Sequence, residues 1–129
     1  MYDTKSPEKN YHLLKKLLAN TPVASYFDDN YSFAYIENEK QLPSGADFVS
    51  FSTACNRCHV ISFVKDGDNI YTKFGSVSNY GNYECRCDDN GVIHEVNNFG
   101  FGSSKETLYD LKFNKLSEKL KREFGSCCD

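Results

Sequence analysis

The hydrophobic pattern changes twice along the chain and divides it into three segments. In the first segment, apolar residues recur at i, i+3 and i+7 from Tyr11, which is the spacing of one helix face. Ser6 supplies a capping hydroxyl, and Pro7 suits the first helical position. We therefore predict an amphipathic helix over about residues 7–19, which ends before Pro22 because the residue before a proline avoids helical angles.

The middle segment, about residues 31–97, alternates between apolar and polar positions instead. Period two is the spacing of a strand with one buried face, and the stretches at 48–52 and 60–64 are rich in β-branched and aromatic residues. Asp66-Gly67 and Asn90-Gly91 are strong signals for two-residue hairpin turns. This segment predicts an antiparallel sheet of about five or six strands.

The last segment returns to helical spacing. Ser103 and Glu106 form a capping-box pattern, which is typical of a helix start. The apolar stripe that follows comprises Tyr109, Phe113, Leu116 and Leu120. We predict a C-terminal helix over about residues 104–124, followed by a tail at 125–129. The whole chain, residues 1–129, is then predicted to be a single α+β domain whose antiparallel sheet is flanked by an N-terminal and a C-terminal α-helix.

Composition and charge narrow the class of partner. The chain has 129 residues, 40% of them apolar, and a formal charge of −3. Residues 25–100 hold 11 acidic and 5 basic residues, so the centre of the chain is acidic. An acidic body makes nucleic acid an unlikely partner and is compatible with a basic protein partner.

The sequence also predicts a location. The first ten residues, MYDTKSPEKN, carry charges of both signs and lack the apolar core of a signal peptide. The apolar runs, such as 60–64, are too short to span a bilayer. We therefore expect a cytoplasmic protein without membrane contact, whose six cysteines are thiols or metal ligands rather than disulfides.

The cysteine spacing predicts one structural zinc. If Asn90-Gly91 forms a two-residue turn, Cys87 lies directly opposite His94 on one face of the hairpin. A C-x-x-C knuckle upstream offers two further thiolates, and structural zinc takes four thiolate or imidazole ligands. The candidate metal ligands are Cys55, Cys58, Cys85, Cys87 and His94. The alternative interpretation is that the cysteines are buried, reduced thiols that pack as small apolar groups.

The same hairpin raises a catalytic hypothesis. Cys87 opposite His94 could form a thiolate–imidazole pair, with Asp89 on the same face orienting the imidazole. A catalytic thiol is usually found at a helix N-terminus or in a cleft rather than within a hairpin, so we do not expect an enzyme. A Cys/His-dependent enzyme and a small zinc-binding domain in nucleic-acid processing are the alternative functions.

An acidic, tyrosine-rich surface is the third candidate feature. Tyrosine gives a large contact area at low entropic cost, and carboxylates steer basic partners. The candidate partner-binding residues are Asp28, Asp29, Tyr31, Tyr35, Glu37, Glu39, Tyr80 and Tyr83. We therefore predict a small binding protein, for example an immunity protein, an antitoxin or a phage-borne inhibitor, that engages a basic protein target.

Overall fold

The computed structural model describes residues 2–27, 33–53, 59–76, 82–100 and 102–122. The helix α1 spans Pro7–Leu17, and a short 3₁₀ helix follows at Pro22–Tyr26. The strands are β1 (Tyr35–Gln41), β2 (Asp47–Ser52), β3 (His59–Asp66), β4 (Asn69–Ser76), β5 (Asn82–Cys87), β6 (Ile93–Gly100), β7 (Ser103–Tyr109) and β8 (Lys115–Arg122).

The protein is mostly β, and the predicted α+β fold is wrong. Strands β1 to β4 form one antiparallel sheet in chain order, and strands β5 to β8 form a second. We call these the first sheet and the second sheet. The described residues thus contain eight strands and one α-helix, rather than five or six strands between two helices. The N-terminal helix is confirmed, although it ends at Leu17.

The first sheet is the middle layer of the fold. Both of its central strands are buried along most of their length, β2 from Phe48 onwards and β3 from Val60 to Val64. Alternate side chains of these strands pack in two directions. Phe51 and Phe63 contact the apolar face of α1, whereas Phe48 and Val64 contact the second sheet. A strand covered on both faces is continuously apolar, which explains why strict alternation fails here.

The predicted C-terminal helix over 104–124 is replaced by the β7–β8 hairpin. The Asp110 Oδ1 atom accepts hydrogen bonds from the backbone N–H groups of Lys112 and Asn114, both at 2.9 Å. The Asp110 N–H in turn donates to the Asn114 carbonyl at 3.0 Å. An aspartate that binds nearby backbone amides offers the chain a turn in place of a helix. Phe113 has a φ of 61°, a left-handed conformation that interrupts any helix at this point.

The β5–β6 hairpin is one residue out of its predicted register, for the same reason. Asp88 Oδ1 accepts from the N–H groups of Asn90 at 2.9 Å and Val92 at 3.0 Å, which closes a longer loop instead of a two-residue turn. Cys87 therefore pairs with Ile93, and the predicted pairing of Cys87 with His94 is wrong. A slip of one residue moves a side chain to the opposite face of the sheet.

The β3–β4 hairpin is shifted by two residues, which preserves the faces. Its loop is Gly67-Asp68 rather than Asp66-Gly67, and Gly67 has a φ of 61°. Phe63 accordingly pairs with Thr72 instead of Ile70, and its side chain still points to the helix side. Within the described ranges, no helix is long and apolar enough to cross a membrane.

Candidate functional site

The hairpin turns converge at one end of the molecule. In a meander, alternate turns lie at the same end of a sheet, so the turns at 42–46 and 67–68 share one end of the first sheet, and those at 88–92 and 110–114 share one end of the second. A common cleft lined by both sheets shows that these two ends coincide. We call this region, made of the four turns, the hairpin end.

The cleft at the hairpin end has a volume of about 450 Å³. Tyr71, Gly91 and Leu111 give it apolar surface, and Leu111 also packs against the core between the sheets. Its other lining residues are Asp66, Asp110, Lys112 and Asn114. Gly91 has a φ of 78°, and a Cβ there would lie 3.6 Å from the Leu111 side chain. The cleft therefore combines an aromatic and aliphatic floor with charged walls.

Two of the aspartates at the hairpin end are fixed by the loops they close. The hydrogen bond from His94 and that from the Val92 amide hold the pKa of Asp88 below its usual range. Backbone amide donation from Asn114 does the same for the pKa of Asp110. Both carboxylates are therefore ionised near neutral pH, and Asp110 lines the cleft.

The remaining aspartates differ in how far their charge is balanced. Asp89 forms an ion pair with Lys40 of β1. Asp66 and Asp68 are exposed, and neither carboxylate has an ion-pair or hydrogen-bond partner among the residues that the structure describes. Two carboxylates without a direct partner thus lie on the β3–β4 turn at the edge of the cleft, with the Lys65 ammonium at the Gly67 carbonyl and Lys112 in the cleft lining.

A second polar feature, the Glu95 cluster, lies between the two sheets and comprises Lys73, Tyr83, Glu95 and Tyr109. Glu95 is only 6% exposed. Its carboxylate accepts hydrogen bonds from the Tyr83 hydroxyl at 2.6 Å and the Tyr109 hydroxyl at 3.0 Å, and Lys73 Nζ lies 3.4 Å away. Since Lys73 belongs to the first sheet and the others to the second, the cluster joins the sheets.

The two described cysteines lie in the same interior. Cys85 and Cys87 are buried free thiols that face the first sheet together with Ile93. Burial raises the pKa of Cys85 to about 12 and the pKa of Cys87 to about 11. A thiol must lose its proton to act as a nucleophile, and the burial of both side chains favours the protonated form near neutral pH.

The buried thiols predict a loss of stability in alkali. A free cysteine releases its proton near its ordinary pKa of 9.0, whereas folded Cys85 retains it to about 12. The folded state therefore binds more protons between these values, and the free energy of unfolding should fall with rising pH, by up to about 1.4 kcal/mol per pH unit for this group. Urea titrations from about pH 8 to pH 10 will measure the slope, which Cys85→Ala should flatten. An unchanged slope in Cys85→Ala would contradict the assignment.

The structure separates the predicted metal ligands of the β5–β6 hairpin. Cys85 and Cys87 point to the interior, but His94 pairs with Arg86 on the outer face, where its Nε2 atom lies 2.9 Å from Asp88 Oδ2. Cys55 and Cys58 lie outside the described residues. Within the described ranges, no group of three histidine, cysteine or acidic side chains is arranged to hold a metal ion. A zinc site that involves the C-x-x-C knuckle stays a prediction.

The predicted partner-binding residues do not form one surface where they are described. Four lie outside the described residues, namely Asp28, Asp29, Tyr31 and Tyr80. Tyr35 is 46% exposed on the edge strand β1. Glu37 accepts a hydrogen bond from the Ser52 hydroxyl at 3.1 Å, whereas Glu39 lies on the helix side of the first sheet. Tyr83 is directed inward to Glu95.

Sequence reasoning missed the hairpin-end cleft. The sequence predicts Asp66 only as part of a turn and Leu111 only as part of the helix over about residues 104–124. The available signal was that acidic turns recur between strands of similar length, but their convergence depends on the order of strands in two separate sheets. No protein-family model, no curated protein and no solved structure matches this chain.

Proposed function

We propose that this chain is a small cytoplasmic binding protein of the inhibitor class that engages a basic protein partner at the hairpin end. The observation that supports this most is the cleft of about 450 Å³ between the two sheets, with Tyr71 and Leu111 in its lining and carboxylates at its edge. Immunity proteins, antitoxins and phage-borne inhibitors are the classes we consider. The buried free thiols Cys85 and Cys87 fit a reducing compartment.

The turns at the hairpin end provide a pre-organised surface. Binding residues are often carried on loops that a rigid scaffold positions, and rigid loops lose little entropy on association. Here the loops at 88–92 and 110–114 are each held by an aspartate that binds two backbone amides of its own loop. The partner therefore meets a surface whose shape is set before it arrives.

The chemistry of the cleft favours a cationic side chain. A guanidinium group can stack on an aromatic ring and pair with a carboxylate at the same time. Tyr71 and Asp66 both line the cleft, and Asp68 adds negative charge beside it. An arginine or lysine of the partner is thus the group that this site would take, and the exposed carboxylates of Asp66 and Asp68 would speed its approach.

The proposal predicts that the β3–β4 turn controls binding of a basic probe. Exposed charge pairs are each worth about 0.2–1 kcal/mol, so Asp66→Asn with Asp68→Asn should weaken binding of an arginine–serine peptide by roughly twofold to thirtyfold. Tyr71→Ala should weaken it further without changing the charge. Fluorescence anisotropy with the labelled peptide at low ionic strength will measure the dissociation constants.

The matched control changes the same net charge away from the cleft. Glu8 on α1 and Glu84 on β5 are exposed, so Glu8→Gln with Glu84→Gln removes two negative charges elsewhere. We expect less than a twofold effect from this pair. If the two pairs of substitutions weaken binding equally and Tyr71→Ala has no effect on it, the peptide responds only to overall charge and the cleft is not the site.

A further inference from the structure

The strand β8 forms an open edge of the second sheet. Its one extensive neighbour among the described elements is β7, and no described strand pairs with its other side. Residues 115–121 are all exposed. An edge strand presents a row of backbone N–H and C=O groups that another extended chain can bind.

The first sheet does not cover β8. Thr107 of β7 is buried, but Glu118, which pairs with it across the ladder, is exposed. Leu116 and Leu120 are each 57% exposed, although leucine is normally a buried residue type. The second sheet therefore extends beyond the first sheet at β8, and the side chains of Leu116 and Leu120 are left as exposed apolar surface at its edge.

The charge at this edge is positive. Within residues 115–121, whose side chains the structure describes, β8 has three basic residues, namely Lys115, Lys119 and Lys121, and one acidic residue, Glu118. Glu118 is already paired, with Lys115 Nζ at 2.7 Å and Lys105 Nζ at 3.0 Å. Hydrogen bonding from Lys115 and then from Lys105 holds the pKa of Glu118 below its usual range. The edge thus contrasts with the acidic hairpin end.

We propose that β8 binds an extended acidic segment of another protein, which adds as a fifth strand to the second sheet. Successive side chains of a strand alternate between its faces. A segment that alternates apolar and acidic residues would place its apolar side chains beside Leu120 on one face and its carboxylates beside Lys119 on the other. A second copy of this chain is disfavoured, because two β8 edges would bring like charges together.

The test uses a labelled octapeptide of alternating valine and glutamate. We expect it to bind the wild-type protein, to protect the β8 amides from hydrogen exchange, and to bind more weakly as NaCl rises from about 50 mM to about 500 mM. Lys119→Glu should raise the dissociation constant about tenfold, because it replaces attraction by repulsion. Leu120→Thr should raise it about threefold through lost apolar contact.

Two controls separate strand addition from general attraction. Lys9→Glu on the exposed surface of α1 makes the same change in charge, and it should leave binding unchanged. A peptide with four valines followed by four glutamates has the same composition without the alternation and should bind poorly. Equal binding of both peptides, equal effects of Lys9→Glu and Lys119→Glu, or concentration-dependent dimers of the free protein through β8 would each overturn the proposal.

Discussion

Gly75→Ala is expected to destabilise the protein by about 3–5 kcal/mol, although it adds a single methyl group. Gly75 is buried in β4, and a Cβ there would lie 2.6 Å from the Tyr83 hydroxyl oxygen and overlap the ring. The ring belongs to the second sheet, so it must move away from β4 and lose its hydrogen bond to Glu95. Overpacking costs about 1–3 kcal/mol, and a hydrogen bond to a charged group contributes about 1.5–3 kcal/mol. Urea denaturation followed by circular dichroism will measure the loss.

A double-mutant cycle isolates the contact between the two sheets. Tyr83→Leu removes the ring that the added methyl group would strike, so the cost of Gly75→Ala should fall to within about 1 kcal/mol in that background. If the two substitutions are additive, the destabilisation arises within β4 itself rather than from the packing of Tyr83.

Glu95→Ala is expected to cost about 3–5 kcal/mol, because it removes a buried carboxylate and leaves three half-buried polar groups without their shared partner. The carboxylate serves the hydroxyls of Tyr83 and Tyr109 and lies 3.4 Å from Lys73 Nζ. When one member of a buried charged network is removed, the remaining members stay desolvated without a compensating interaction, which destabilises the fold. Glu95→Gln keeps one acceptor oxygen and should cost less. Equilibrium unfolding in urea will rank the two variants.

Replacement of the whole cluster should reverse most of that loss. A buried ionic network contributes little net stability compared with well-packed apolar residues of similar volume. We therefore expect Glu95→Leu combined with Lys73→Met, Tyr83→Phe and Tyr109→Phe to be more stable than Glu95→Ala alone. If the combined variant is less stable than Glu95→Ala, the intact cluster stabilises the fold by more than the cost of leaving its members unpaired.

Local sequence signals predict the structure correctly where residues that are adjacent in sequence determine it. Pro7 and the apolar spacing from Tyr11 predict α1, which does begin at Pro7. The capping-box pattern at Ser103 failed because Asp110, seven residues later, binds the amides of Lys112 and Asn114 and closes a turn. The helical stripe that follows was a coincidence of spacing, since β8 is exposed throughout residues 115–121.

The position of the candidate site could not be predicted from the sequence. Acidic residues and tyrosines were expected to bind a basic partner, but the residues that meet in the cleft, such as Tyr71 and Leu111, come from different sheets. The cysteine–histidine hypothesis depended on a register that the Asp88 carboxylate shifted by one residue. One side chain thereby placed His94 on the opposite face of the sheet from Cys87.

The order of the strands has a consequence for how the protein folds. Within each sheet, every strand pairs with its neighbour in sequence, so most hairpins can form by closing a short loop at a small cost in chain entropy. Such local pairing gives faster folding than Greek-key topologies, in which distant segments must meet first. When the two sheets dock, Lys73 of the first sheet and Glu95 of the second must lose water together. The two halves of the chain, which form the first and the second sheet, therefore associate like two separate subunits within one molecule.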